Sequence, residues 1–320
     1  MAHCNSQLES LISSKIVEQG LPNDFCKTIT NYYTPLASEI ALAADQSSAN
    51  TQAPLLVGIF GSQGSGKSTF ADFLKLILEQ KFKTSTVVMS LDDFYHTRQQ
   101  RQYLSAQIHP LLVTRGVPGT HDIQLLQDTL EQLRNLDSSE LVKLPVRVPT
   151  FNKANDDRAP LEQWQTISSK PKVVILEGWC VGVKPQSDAQ LTLAINTLER
   201  TMDSDGAWRK FVNQQLKQDY ATVFSQFDKL IALVVPSFDC VYEWRSLQEA
   251  KLIETLERAK KSTQATMSDE QMMLFIAHYQ RLTEHALATL PSYADWCLHI
   301  DKSHQITGLT AISNATSNPS

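Results

Sequence analysis

Apolar residues recur along this chain in two rhythms. Leu8, Leu11, Ile12 and Ile16 fall at helical spacing before Gly20, and Ile29, Tyr32, Tyr33, Leu36 and Ile40 repeat that spacing up to a polar stretch, Asp45 to Gln52. The pattern predicts an N-terminal helical extension followed by a linker, residues 1–52. At Leu55 to Phe60 the spacing gives way to a continuous apolar run that ends at Gly61, as in a parallel strand buried on both faces. Phe70, Phe73, Leu74 and Ile77 return to helical spacing, and Thr86 to Leu91 forms a second short apolar run, closed by Asp92 and Asp93. Strand, loop, helix and strand make a βαβ unit. Further runs at Lys172 to Leu176 (before Glu177 and Gly178), Lys229 to Val235 (before Pro236) and Trp296 to Ile300 bring the expected parallel sheet to five strands.

Helical stripes fill the intervals: Trp208, Val212, Leu216, Tyr220 and Val223; the segment Val241 to Ala259; and Met272, Phe275, Ile276, Tyr279 and Leu282. Each stripe is read as core. The expected organisation is an α/β domain over 53–304 with an insert at about 96–170 and a second at about 238–268. A polar tail, 305–320, is expected to fray at its end.

Composition narrows the function classes. Acidic residues exceed basic ones by 34 to 29 and no Lys/Arg-rich block occurs, so a nucleic-acid backbone would find no basic track. The cysteines, at 4, 26, 180, 240 and 297, lack C-x-x-C spacing, which argues against a disulfide framework or a zinc site. No apolar stretch approaches the ~20 residues that cross a bilayer, and Met1 to Ser13 lacks a leader-like pattern. A soluble cytoplasmic protein without membrane contact is expected.

Gly61-Ser62-Gln63-Gly64-Ser65-Gly66-Lys67-Ser68 satisfies G-x-x-x-x-G-K-[ST] between a buried strand and a helix. A phosphate cradle needs that context, because a helix N-terminus presents unpaired N–H groups and partial positive charge. ATP is therefore expected on Gly61 to Thr69, with Lys67 reaching its β- and γ-phosphates and the Ser68 hydroxyl on Mg²⁺. The fold implied is a P-loop NTPase, a three-layer α/β/α sandwich with lid and acceptor inserts. Ligands in such sheets lie at the carboxyl ends of the strands, where Asp92, Asp93 and Glu177 stand. Glu177, ending an apolar strand, is expected to hold the metal or its water. Asp92 is the expected base for an acceptor hydroxyl and Asp93 a structural neighbour, although either could take the first role.

Ser90-Leu91-Asp92-Asp93-Phe94-Tyr95 resembles the P-loop kinases of the uridine kinase, phosphoribulokinase and pantothenate kinase group, which implies the first aspartate as base. Arg115 to Asp122 (RGVPGTHD), Glu177 to Pro185 (EGWCVGVKP) and Tyr242 to Arg245 (YEWR) resemble the D-glycerate 3-kinase family, with Phe151-Asn152-Lys153, Asp156-Asp157-Arg158 and Met267 to Gln271 in the same order. The resemblance implies ATP-dependent phosphorylation of D-glycerate to 3-phosphoglycerate. A nucleoside, pantothenate or sugar remains the alternative acceptor.

Arg115, His121 and Arg158 lie between the second and third strands, where an acid or polyol substrate would dock, and arginine can grip a carboxylate bidentately. Tyr95 and Asp122 complete the candidate substrate set, with His121 or Asp122 equally able to cap the next helix. Arg245 is either a lid arginine that covers the transferring phosphate or a surface residue beside Glu243 and Glu249. The segment Phe151 to Asn155 lacks the acid of the N-K-x-D guanine motif, so GTP specificity is not expected. A P-loop switch that hydrolyses ATP to control a protein partner is the competing class, with the N-terminal helices as its partner surface.

Overall fold

The computed structural model describes residues 2–136, 145–258 and 268–312. Six strands form the central sheet: β1 (Leu55–Gly61), β2 (Thr86–Ser90), β3 (Val173–Gly178), β4 (Lys229–Val234), β5 (Trp296–Ile300) and β6 (Ile306–Ala311). Their order is β6-β5-β4-β1-β3-β2. The first five are mutually parallel, as the apolar runs predict, and β6 adds an antiparallel edge. This sixth strand corrects the sequence reading, which placed 305–320 in a tail. Ile306 and Leu309 stand three apart among Thr307, Gly308 and Thr310, so no alternation announces the strand, and its pairing with β5 shifts register between Ile306 and Gly308. Residues 313–320 lie outside the described residues.

β1 is buried along its whole length because both faces are covered. Its Leu56 and Phe60 side chains enter one apolar core, with Leu176, Trp179 and Tyr220. Leu55, Val57 and Ile59 enter the other, with Phe70, Phe73 and the N-terminal helices. Helices α1 (Ala2–Glu18) and α2 (Thr34–Thr51) form the extension on that second face. Here the expected linker is corrected: α2 runs through Asp45 to Thr51 and stops at Gln52, whose φ is 55°. The stretch is polar yet contains no helix breaker, and it extends a helix already anchored by buried Ile40, Ala41 and Ala44.

Helix α3 (Lys67–Gln80) follows the P-loop and buries Phe70, Phe73, Leu74, Ile77 and Leu78 at the predicted spacing. The first insert carries α4 (Arg98–Gln107) and α5 (Ile123–Asn135), then two small antiparallel ribbons, Val146–Val148 with Gln165–Ile167 and Phe151–Asn152 with Asp157–Arg158. α6 (Ala207–Gln215) continues through a π-turn to Phe224, with Val212, Leu216, Tyr220 and Val223 inward. The second insert is α7 (Phe238–Arg258), after which 259–267, part of the expected lid, lie outside the described residues. α8 (Asp269–Thr289) starts at the capping box formed by Ser268 and Gln271. Among the described residues no helix is long and apolar enough to cross a membrane.

Candidate active site

The register of β1, β3 and β2 brings three sequence motifs to one edge of the sheet. Ile59 stands opposite Glu177, and Glu177 opposite Ser90. Gly61 to Ser68 therefore emerges beside Glu177, with Asp92 one strand further on. Gly64 and Gly66 have φ of 78° and 83°, a left-handed conformation that side chains with Cβ seldom adopt. Gly66 is the N-cap of α3, so the loop's N–H groups and the helix dipole converge on one small volume.

Unpartnered polar atoms mark the same volume. Ser68 Oγ donates to Glu177 Oε1 at 2.8 Å, whereas Glu177 Oε2, Ser62 Oγ and Ser65 Oγ are buried without a hydrogen-bond partner. Orphaned buried acceptors of this kind are costly unless a ligand completes them. The hydroxyl and carboxylate are the hard oxygen donors that Mg²⁺ takes. Among the described residues no group of three or more His, Cys, Asp and Glu side chains gathers as a self-sufficient metal cage. Such a pair fits the usual Mg²⁺ arrangement, in which one or two protein oxygens are joined by waters and phosphate oxygens.

Asp92 and Asp93 lie on a 3₁₀ turn, Leu91–Phe94, just past β2. Asp92 accepts from Tyr95 Oη at 3.1 Å and from Lys153 Nζ at 3.2 Å. Burial pushes its pKa up, but the charges of Lys67 and then Lys153, with the Lys153 hydrogen bond, outweigh it, leaving the carboxyl below its ordinary value. Asp93 turns the other way and accepts from the Phe151 N–H at 2.9 Å, holding the first insert against β2. Burial, followed by the charge of Asp92, pushes its pKa up to about 6 despite that bond. The two neighbours are thus distinct in geometry: Asp92 faces Lys67 and Asp93 braces a loop.

The insert residues divide into open and committed groups. Arg115 pairs with Asp156 and retains 27% side-chain exposure at the cleft. Arg158 donates to the Tyr95 carbonyl and to Asp122 Oδ2, both at 3.0 Å, while Asp122 Oδ1 accepts from Leu125 N–H as the N-cap of α5. Capping thus falls to Asp122. His121 is buried, stacked on Tyr95 at 4.3 Å, with Nδ1 2.6 Å from Tyr220 Oη and Nε2 unpartnered. Burial holds its imidazole neutral, with a pKa pushed down to about 3. Tyr95, His121, Asp122 and Arg158 form a braced wall, whereas Arg115 is half-buried against Asp156 and Lys153 is exposed.

Tyr279, on α8, draws the site together. Its phenol donates to the Arg115 carbonyl at 3.2 Å and its ring lies edge-on to Trp179, centroids 4.8 Å apart. Burial raises its pKa, the Asp92 charge adds to that, and Arg115 and Arg245 oppose it. The charges of Asp92, Arg115 and Arg245, from three separate segments, thus all bear on the ionisation of one hydroxyl. Sequence reasoning missed Tyr279 because it falls in a helical stripe indistinguishable from core. Lys153 was legible as part of Phe151-Asn152-Lys153, but its pairing with Asp92 was not.

Comparison with known proteins agrees with this geometry. Residues 56–197 match the Phosphoribulokinase / Uridine kinase family. The chain is 34% identical over 245 residues to the "Uncharacterized kinase mug58" of Schizosaccharomyces pombe, an overlap of 74% of this chain and 82% of that protein. It is 30% identical over 250 residues to "D-glycerate 3-kinase, chloroplastic" of Arabidopsis thaliana, covering 74% of this chain and about half, 48%, of the plant protein. A solved structure titled as D-glycerate 3-kinase from Cryptococcus neoformans superposes with a TM-score of 0.69 over 88% of this chain and 99% of that one, at 24% identity, and so shares the fold. With the P-loop, the carboxylates beside it and these relatives in agreement, the chain belongs to the phosphoribulokinase/uridine kinase family of P-loop kinases and is a phosphotransferase of that group.

Proposed function

We propose that this kinase transfers the γ-phosphoryl group of ATP to a hydroxyl of D-glycerate, giving 3-phosphoglycerate and ADP. The observation that carries the reading is the Asp92 carboxylate, held by Tyr95 and Lys153 at the strand end beside the P-loop and the Ser68–Glu177 pair. An ionised carboxylate with a half-buried arginine, Arg115, and an exposed lysine, Lys153, in the same insert suit a small hydroxylated carboxylic acid. The plant relative's name supplies the acceptor.

In this mechanism the loop amides of Gly61 to Ser68 grip the phosphates and Lys67 draws charge toward the β–γ bridge. Ser68 and Glu177 would hold Mg²⁺, which when bound neutralises phosphate charge. Arg115 takes the substrate carboxylate and orients the chain so that one hydroxyl faces Asp92. Asp92 accepts the hydroxyl proton as the new O–P bond forms, and the bridging O–P bond breaks with its electron pair leaving on ADP. Tyr95 and Lys153 keep the Asp92 carboxylate oriented. Arg245 balances charge on the transferring oxygens, and closure of the α7 region excludes water that would otherwise consume ATP.

The test is ADP release measured with D-glycerate, uridine, pantothenate and ribulose 5-phosphate in parallel. Turnover is expected with D-glycerate alone. A strong response to a nucleoside without a glycerate response would overturn the substrate assignment and leave the kinase chemistry standing.

A further inference from the structure

The sheet order gives a bound triphosphate a direction. Glu177 and Asp92 lie on the β3–β2 side of the P-loop, so the γ-phosphate faces that side and the nucleoside must leave toward β4, β5 and β6. A cavity of about 430 Å³ opens on that opposite side, next to Thr69. Its volume is in the range of small-molecule sites, ~300–1,000 Å³. One wall is Trp244 of α7 with His304 of the β5–β6 turn; the other is Leu21, Pro22 and Phe25, from the connection between α1 and α2.

We propose that Leu21 to Phe25 form the second wall of the site for the purine base of ATP, which makes the N-terminal extension part of nucleotide binding. The inference rests on the kinase reading and adds a role for a segment to which no other feature of the mechanism gives one.

Both walls are rigid. Trp244 Nε1 donates to the Lys302 carbonyl at 3.0 Å, its ring lies 3.9 Å from that of His304, and His304 Nε2 is 2.9 Å from the Gly64 carbonyl of the P-loop. Phe25 packs on Tyr33 and on Phe73, with ring centroids 5.9 and 5.5 Å apart. Phe73 belongs to α3, the helix that the P-loop opens. Lys15 and Gln19 add an ion pair at 3.4 Å and a hydrogen bond at 3.2 Å to Asp72 on the same helix. The two walls are therefore both referenced to the phosphate cradle. Pro22 is exposed and Leu21 half-buried, and Leu247 at the opposite rim is 52% exposed, so apolar surface faces the space a base would fill. A flat, largely apolar ring held by its phosphates at Thr69 would bury that surface.

The experiment is calorimetric titration of the full chain, with Mg²⁺, by ADP and by inorganic pyrophosphate. Leu21→Trp, which fills the cavity, is expected to weaken ADP by about tenfold or more, and Leu21→Ala, which thins the wall, by about threefold. Pyrophosphate affinity should stay unchanged in both, which also certifies that the variants fold with an intact P-loop. Unchanged ADP affinity in both variants, or equal losses for ADP and pyrophosphate, would overturn the proposal. A wild-type chain that binds pyrophosphate but not ADP defeats it too, and one that binds neither ligand defeats the kinase reading along with it.

Discussion

Asp92 and Asp93 are adjacent in sequence and opposed in ionisation because their side chains leave the 3₁₀ turn into different surroundings. Asp92 meets Lys67 and Lys153, so its carboxylate stays ionised. Asp92→Asn should lower kcat by about 10²–10⁴-fold while sparing ATP binding, as removal of a general base does. Undiminished kcat in that variant would remove Asp92 from the mechanism. With a pKa held below the ordinary carboxylate value, Asp92 should add no acid limb to kcat between pH 6 and 8; an apparent pKa in that window assigned to the base would contradict the electrostatics.

Asp93 behaves in the reverse sense, and the sign of its effect on stability follows. Its folded pKa of about 6 lies above the ~3.9 of an unfolded chain, so between those values the native state binds more protons. Its contribution is therefore fully present at low pH and is lost as pH rises through about 6. Asn at this position can still accept from the Phe151 N–H without carrying charge. Asp93→Asn should raise Tm relative to wild type at pH 8 and lose that advantage at pH 4. A Tm difference that does not grow between the two pH values would show that Asp93 ionises without cost.

Among the elements, the turn that carries Arg115 is set by its packing against α8. Gly116 has φ of 146°, and a Cβ there would lie 2.4 Å from Tyr279 Oη and 2.7 Å from its Cζ. The Trp179 indole donates to the Gly116 carbonyl at 2.9 Å, so the turn is gripped from β3 and α8 together. Gly116→Ala should cost about 2–4 kcal/mol, from backbone strain and overpacking, and raise KM for the acceptor more than KM for ATP. Denaturant unfolding and paired KM measurements would check it; equal rises in the two constants would argue against a local effect at Arg115. The capping residues were readable in part: the sequence left the start of α5 to His121 or Asp122 and the structure gives it to Asp122, while the Ser268–Gln271 box opens α8 ahead of its predicted apolar stripe. The end of α2 was not, because Asp45 to Thr51 is polar enough to read as a linker, yet with no helix breaker it extends the helix that Ala41 and Ala44 anchor in the core.

Across the whole molecule, α8 is tied to the segment after β3 by a buried ion pair. Arg281 Nε and Nη2 each lie 2.6 Å from one oxygen of Glu199, whose side chain is fully buried, and Arg281 also donates to the Gln190 and Leu193 carbonyls. Glu199→Ala would strand a buried guanidinium and should cost about 3–5 kcal/mol. Replacing both partners by apolar residues, Glu199→Leu with Arg281→Met, should recover much of the loss. Chemical denaturation of the single and double variants separates the outcomes; a double variant no better than the single would mean that the carbonyl contacts of Arg281 dominate.

Local chemistry was enough for the sequence to announce the phosphate loop and the first parallel strands. A glycine-rich turn between a doubly buried strand and a helix has few other uses, and Gly64 and Gly66 occupy the left-handed conformations that the motif requires. The carboxylates Asp92 and Glu177 could be placed because a run of apolar residues ends where its strand ends. What an exposed charge meets across the fold is decided by distance in space alone. Arg158 commits to Asp122, His121 turns to Tyr220, Lys153 reaches Asp92, and Tyr279 donates to the Arg115 carbonyl from a helix more than a hundred positions away. Neither periodicity nor spacing carries those pairings, since they arise where inserts of irregular backbone fold back over the sheet edge. The five parallel strands and the phosphate loop are written into the chain, because they depend on local backbone conformation and on the burial rhythm. Tertiary structure decided which polar side chains brace the cleft and which remain facing it, because packing across elements sets their partners.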